Sequence, residues 1–389
     1  GGKQALFNAL ACLIDKGDEV ILLTPIWPSY LEMIKFLEGV PLLVPATSHG
    51  GFIPSISEIE KLITDKTKAI IVNSPNNPAG VHYNEAWMRD FAQMVAEYPQ
   101  VFLISDEVYS KIVYYDPKPS YFYQFDTQLL ERTIIIDSIS KMFASAGLRL
   151  GFSICPPELS YHMKKFQSQT TSGPNSLVQN AILNTDFELF HSYLNPILSH
   201  IRRNADYLME ALHANQLGAL WYQTQSAFYF TLDFHNTRYY QTQKNKNEDL
   251  SVQLSTQLLE QCYVATVPGN RFGVPNSLRL SLLEEKEPFQ KGIDLIIENN
   301  VIKANKTTLG ADNGIAVAYA LALLDSNDIK HPALEILITT DEEAGMSGVS
   351  NLDPSLFKGH TLLNIDTEDY GEIYVSSAGG SRVKNIFEL

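Results

Sequence analysis

Apolar residues are spaced in two alternating rhythms along the first 155 positions. Residues 4–14 carry them at helical spacing and stop at Lys16-Gly17-Asp18. Residues 20–23 form a short unbroken apolar run that enters Thr24-Pro25, and 30–37 return to helical spacing before Gly39. Further short runs at 40–44, 69–72, 101–104, 133–136 and 151–154 predict strands, with an amphipathic helix over 85–97 between two of them. Continuously apolar strands alternating with helices predict an α/β domain around a mostly parallel sheet, covered on both faces. In such sheets ligands sit beyond the carboxyl ends of the strands.

The pattern then changes twice. Residues 156–217 read as helical, with a long stretch from 192 onwards. Strand patterns follow at 227–232, 262–267 and 277–282, and the polar segment 238–249 reads as an exposed loop. This predicts a smaller α+β domain behind a connecting helix. Near Glu298-Asn299-Asn300 a third texture begins: a helix-like run to Leu324, strands at 334–338 and 361–365, and carboxylates at the strand ends. The expected division is 1–190 for the large domain, 191–298 for the connecting helix and small domain, and 299–389 for a partial further domain.

Charge and composition narrow the class. The 389 residues are 45% apolar and 19% charged, too apolar for a disordered chain. The net charge of −15 disfavours a nucleic-acid partner. The longest apolar run, 315–324, is far too short to span a bilayer. Cys12, Cys155 and Cys262 are far apart, so no disulfide framework or Cys-x-x-Cys clip is readable. With no signal peptide either, a cytoplasmic enzyme is expected. The acidity is uneven: residues 299–389 hold 6 basic and 13 acidic side chains, against 23 and 31 in residues 1–298. That shift suggests a composite chain.

Candidate chemistry clusters after the strands. Ser138-Ile139-Ser140-Lys141 follows the 133–136 run, and a lysine held there in an apolar domain can form a Schiff base with an aldehyde cofactor. Asp106 follows 101–104, with Tyr109 three residues on. Asn77 lies in Ser74-Pro75-Asn76-Asn77-Pro78-Ala79-Gly80, and Arg149 lies shortly after Lys141. Singly, each has an ordinary explanation as a surface charge, an ion pair or a turn.

Together, in this order and spacing, they resemble the fold type I, class I/II pyridoxal-phosphate aminotransferases over residues 1–298. The resemblance implies Lys141 as the Schiff-base lysine and proton carrier, and Asp106 as partner of the pyridine nitrogen. It implies Tyr109 and Asn77 on the ring oxygen, and Trp27, in Pro25-Ile26-Trp27-Pro28, stacked on the ring. Gly2 and Lys3 would bind the phosphate through backbone amides at a helix N-terminus, with Ser138 and Arg149 adding a hydroxyl and a guanidinium. Arg279, in Ser277-Leu278-Arg279-Leu280-Ser281, matches the arginine that takes the substrate α-carboxylate. The implied reaction moves an amino group between an amino acid and a 2-oxo acid in a homodimeric enzyme. Family members carry further residues ahead of Gly1, so the chain reads as N-terminally truncated, with cofactor binding kept and turnover impaired.

A second resemblance lies in 299–389. Thr308-Leu309-Gly310-Ala311-Asp312-Asn313-Gly314, Thr340-Asp341-Glu342-Glu343-Ala344-Gly345-Met346 and Asn364-Ile365-Asp366-Thr367-Glu368 look like the aminoacyl-histidine dipeptidases, which are co-catalytic zinc peptidases. The resemblance implies Asp312, Glu343 and Asp366 as metal ligands and Glu342 as general base. The upstream His-x-Asp segment and the downstream histidine are absent, and a site short of two histidines binds zinc weakly. The expectation is an aminotransferase joined near 298–306 to an internal peptidase fragment, as a gene fusion or a misassembled reading frame. The competing readings are a zinc-dependent dipeptidase fragment and a non-catalytic chimera.

Overall fold

In the computed structural model the described residues are 1–215, 217–237 and 249–297. Strands β1 (Glu19–Leu23), β2 (Val40–Val44), β3 (Thr67–Asn73), β4 (Phe102–Asp106), β5 (Thr133–Ser138) and β6 (Gly151–Ile154) form one six-stranded sheet in the order β2-β1-β3-β4-β5-β6. All neighbours are parallel except β5 and β6. The strand pleat explains the unbroken apolar runs. Val20, Leu22, Ala69, Ile71, Ile104, Ile134 and Ile136 face one core, with Leu6, Leu10 and Leu13 of α1 (Gly2–Leu13) and Ile34 of α2 (Pro28–Phe36). Ile21, Leu23, Ile70, Val72 and Leu103 face the other, with Ile59 of α3 (Ile56–Lys61) and Trp87, Met88 and Phe91 of α4 (Glu85–Ala96). Burying both faces removes any polar alternation.

A four-residue helix, α5 (Ile139–Met142), follows β5 directly. The region read as one helical stretch is three helices, α6 (Pro157–Thr170), α7 (Ser176–Leu183) and α8 (Phe187–Ala214). The first break has a local cause. Ser172 takes a left-handed φ of 62°, Pro174 cannot continue a helix, and Asn175 caps α7 through its side-chain oxygen.

The second sheet holds β7 (Tyr229–Asp233), β8 (Val267–Pro268) and β9 (Ser277–Ser281), antiparallel, in the order β7-β9-β8. Helices α9 (Ser251–Cys262) and α10 (Lys286–Ile297) complete it. Here the expected strand at 262–267 is wrong. Cys262 is the buried last residue of α9, the chain reverses at Tyr263 with φ 53°, and only Val267–Pro268 pair. The core of this part joins Phe230, Leu232, Leu278 and Leu280 to Ile201, Ala205 and Leu208 of α8 and Leu254 of α9. It also takes in Ala79, Val81 and Tyr109 from the first sheet's loops.

The segment expected as a loop at 238–249 lies outside the described residues except for Asp249. So does the whole of 299–389, with Asp312, Glu342, Glu343 and Asp366. Among the described residues no helix is long and apolar enough to cross a membrane.

Candidate active site

Parallel strands end together, so residues just past β1, β3, β4 and β5 meet at one edge of the sheet. A cavity of about 360 Å³ opens there. It is lined by Gly2, Lys3, Trp27, Asn77 and Asp106, and by Tyr109, Ser138, Lys141, Arg149 and Arg279. Every site residue expected within 1–298 therefore reaches one cavity, although Arg279 comes from the second sheet.

Asp106 ends β4, is 5% exposed and points into the cavity. Tyr30 donates its hydroxyl to Asp106 Oδ2 at 2.5 Å, and the Val108 amide donates to Oδ1 at 3.4 Å. Burial pushes the Asp106 carboxyl up to about 6, outweighing those bonds and the Lys141 charge. Such a group has more acceptor capacity than its neighbours fill, and it suits a cationic ring N–H. Across the cavity, burial and the Arg279 charge lower the Lys141 ammonium, while Asp106 opposes them. Lys141 Nζ lies 5.6 Å from the Tyr109 ring centre and 5.4 Å from that of Phe228.

At the other end, α1 begins at the cavity with no side-chain cap on its first amides. Close approach is built in. A Cβ on Gly2 would come 3.3 Å from Ser138 Cβ, and one on Gly151 would come 2.2 Å from Gly2 N. Arg149 adopts a left-handed φ of 55°, and its guanidinium lies beside Gly1. Uncapped helical amides, a hydroxyl and a guanidinium form a phosphate-type anion site. With a flat aromatic (Trp27), a buried acid and a lysine of lowered proton affinity, this donor set fits pyridoxal phosphate.

The cavity residues outside the expected set include Tyr30, Asn73 and Tyr229. Tyr30 follows Trp27 by one helical turn and meets its ring edge-on at 5.4 Å. In the sequence Tyr30 opens the helical pattern of 30–37, and nothing there ties it to Trp27. Asn73, the last residue of β3, donates to the Asp106 carbonyl at 3.0 Å and accepts from the Asn77 amide at 3.1 Å. Asn77 in turn accepts from Arg279 Nη1 at 3.1 Å.

Behind Asp106, on the opposite face of the sheet, Glu107 accepts from the hydroxyls of Ser105 and Tyr123, each at 2.7 Å. Burial raises both Glu107 and Asp137 to about 7, and the two carboxylates repel one another.

Comparison with known proteins decides the family. The aminotransferase class I and II family matches residues 1–288. The chain belongs to the class I and II aminotransferases. It is 34% identical to a probable aspartate/prephenate aminotransferase of Thermus aquaticus, over 76% of this chain and 73% of that protein. It is 33% identical to an aspartate aminotransferase of Thermotoga maritima, with the same two coverages. Among solved structures, an aspartate aminotransferase from Thermus thermophilus with maleate superposes with a TM-score of 0.68 at 33% identity, covering 76% of this chain and 74% of that one. The chain is thus a pyridoxal-phosphate-dependent aminotransferase with the α/β fold of that family. The matched residues end at 288, so the peptidase-like motifs lie outside the family match as well as outside the described residues.

Proposed function

We propose that this aminotransferase uses Lys141 to hold the cofactor and to carry the reacting proton, with Asp106, Tyr109, Asn77 and Trp27 around the ring. Gly2, Lys3, Ser138 and Arg149 hold the phosphate. Pyridoxal phosphate, when bound, supplies an electron sink for the charge that develops at the substrate Cα. Asp106 keeps a proton on the ring nitrogen, since a buried carboxylate beside a cation is stabilised only while that cation stays charged. The Lys141 amine moves a proton at Cα, and burial and the Arg279 charge lower its proton affinity. Arg279 takes the α-carboxylate through a planar fork.

The observation that carries this reading is the convergence of Asp106, Lys141, Arg149 and Arg279 in one cavity. It is tested by adding cofactor to purified protein and following the visible absorbance band against pH. Lys141→Ala should lose the band. The same band in that variant would refute the lysine assignment.

The relatives' names point to acidic amino acids as donors and prephenate-like 2-oxo acids as acceptors. A second cation supports this: Lys3 lines the cavity with its ammonium 4.7 Å over the Trp27 ring. Transamination that is faster with leucine than with aspartate would argue against it. We infer a homodimer as well. Leu177 and Leu183 of α7 are 79% and 83% exposed, with exposed Leu189 and Tyr193 following on α8, a set that suits burial against a second copy. A monomeric sedimentation coefficient would remove that inference. For 299–389, the dipeptidase-fragment reading rests on the three sequence motifs, and zinc retained after dialysis in a Glu343→Ala variant would count against it.

A further inference from the structure

Tyr229 is among the large cavity side chains that the residue roles proposed above leave without a function. Tyr229 is the first residue of β7, is buried, and lines the cavity. The antiparallel register pairs Tyr229 with Ser281 and Thr231 with Arg279. Tyr229 and Arg279 are therefore diagonal neighbours on the same sheet face, within reach of long side chains. The Arg279 guanidinium rests 4.3 Å over the Tyr229 ring, with the Phe272 ring 5.0 Å away.

The other end of the same side chain meets the cofactor half. The Tyr229 hydroxyl is near enough to that of Tyr109 to act on it, and their rings meet edge-on at 6.0 Å. The backbone beneath is locked. A Cβ on Gly80 would come 2.2 Å from the Tyr229 carbonyl, so β7 begins in contact with the loop that carries Asn77.

We propose that Tyr229 is a positioning residue that couples the substrate clamp to the cofactor-side tyrosine: its ring face aims Arg279, and its ring edge and hydroxyl set the surroundings of Tyr109. A guanidinium held on an aromatic face loses rotamer freedom before the substrate arrives, so less ordering remains at binding. A carboxylate arriving at Arg279 cancels a positive charge that Tyr109 and Lys141 both feel. Tyr229 alone among the cavity tyrosines touches both the clamp and Tyr109, so it carries the geometry of one to the other. The proposal rests on Arg279 being the carboxylate clamp, and its test separates the two.

Maleate, a dicarboxylate that does not react, is titrated calorimetrically into the chain with and without cofactor. Arg279→Ala should weaken binding by about a hundredfold or more. Tyr229→Leu should weaken it by about tenfold, because the guanidinium loses its face. Tyr229→Phe keeps the face, so it should cost less than about threefold in maleate affinity while shifting the pH profile of kcat/KM by about half a unit. If Arg279→Ala binds maleate like the parent, the clamp reading itself is lost. If Arg279→Ala is weak but Tyr229→Leu binds normally, or if the Tyr229→Phe pH profile overlies the parent's, only the role of Tyr229 is lost. Should Tyr229→Leu lose its circular-dichroism signature, the Tyr229→Phe profile decides.

Discussion

The two halves of the cavity are built by different means. On the cofactor half, Asp106, Ser138 and Lys141 sit at or just beyond the ends of adjacent parallel strands, and the pairing of Asp106 with Ile136 fixes their spacing through the backbone. On the substrate half, Arg279 and Tyr229 stand on a separate antiparallel sheet. That half is held to the first partly by a seam along one loop. The Tyr222 hydroxyl donates to the Ala79 carbonyl at 2.7 Å, the Thr231 hydroxyl to Pro78 at 3.1 Å, and the Gln225 and Ser226 amides to Gly80 at 2.8 and 2.9 Å. The cofactor groups are thus placed by strand register, and the clamp is placed by contacts between the two sheets' surroundings. Damage to the first should cost chemistry, and damage to the second should cost substrate binding and stability.

The largest effect that would sharpen this contrast is expected at Asp106. Asp106→Asn removes the charge proposed to hold a proton on the ring nitrogen while leaving the fold in place, so kcat should fall by at least about a hundredfold with a smaller change in KM. Steady-state kinetics with aspartate check this; a change confined to KM would erase the distinction between the halves.

The seam comes next. Gly80 has φ +69°, and a Cβ there would meet the Tyr229 carbonyl at 2.2 Å and the Thr224 hydroxyl at 2.5 Å. Gly80→Ala should therefore destabilise by about 3 kcal/mol and raise KM more than it lowers kcat. Urea unfolding at an unchanged midpoint would show that the seam is slack.

The smallest effect is expected behind the sheet. Glu107 titrates near 7 in the folded chain against 4.5 unfolded. A raised carboxyl favours folding below its unfolded value and loses that advantage as pH climbs through the folded one. The chain should therefore lose stability between about pH 4.5 and 7, and Glu107→Gln should flatten that decline by about 1–2 kcal/mol. Thermal melts at pH 5 and pH 8 measure it, and an equal decline in the variant would reject the assignment.

Much of the large sheet was legible because its inner strands are buried on both faces and bounded by turn residues. The runs at 20–23 and 69–72 fall within β1 and β3. The second part was harder. The stretch 262–267 carries strand-like residues, yet Cys262 is consumed by the apolar stripe of α9, whose pattern depends on a core drawn from α8 and β7. The site shows the same asymmetry. Lys141, Asp106 and Arg279 announce themselves as charges in apolar surroundings. Tyr30 and Tyr229 fall within ordinary helix and strand patterns, and only the structure brings them to the cavity.

The sequence by itself determined the parallel sheet, the family and the chemical types gathered at its carboxyl edge, because periodicity and motif spacing are local properties of the chain. Tertiary structure alone decided that Tyr30 would donate to Asp106 and that Arg279 would lie between Tyr229 and Asn77. Those contacts join residues 50 to 202 positions apart, and no local pattern encodes the register that brings them together.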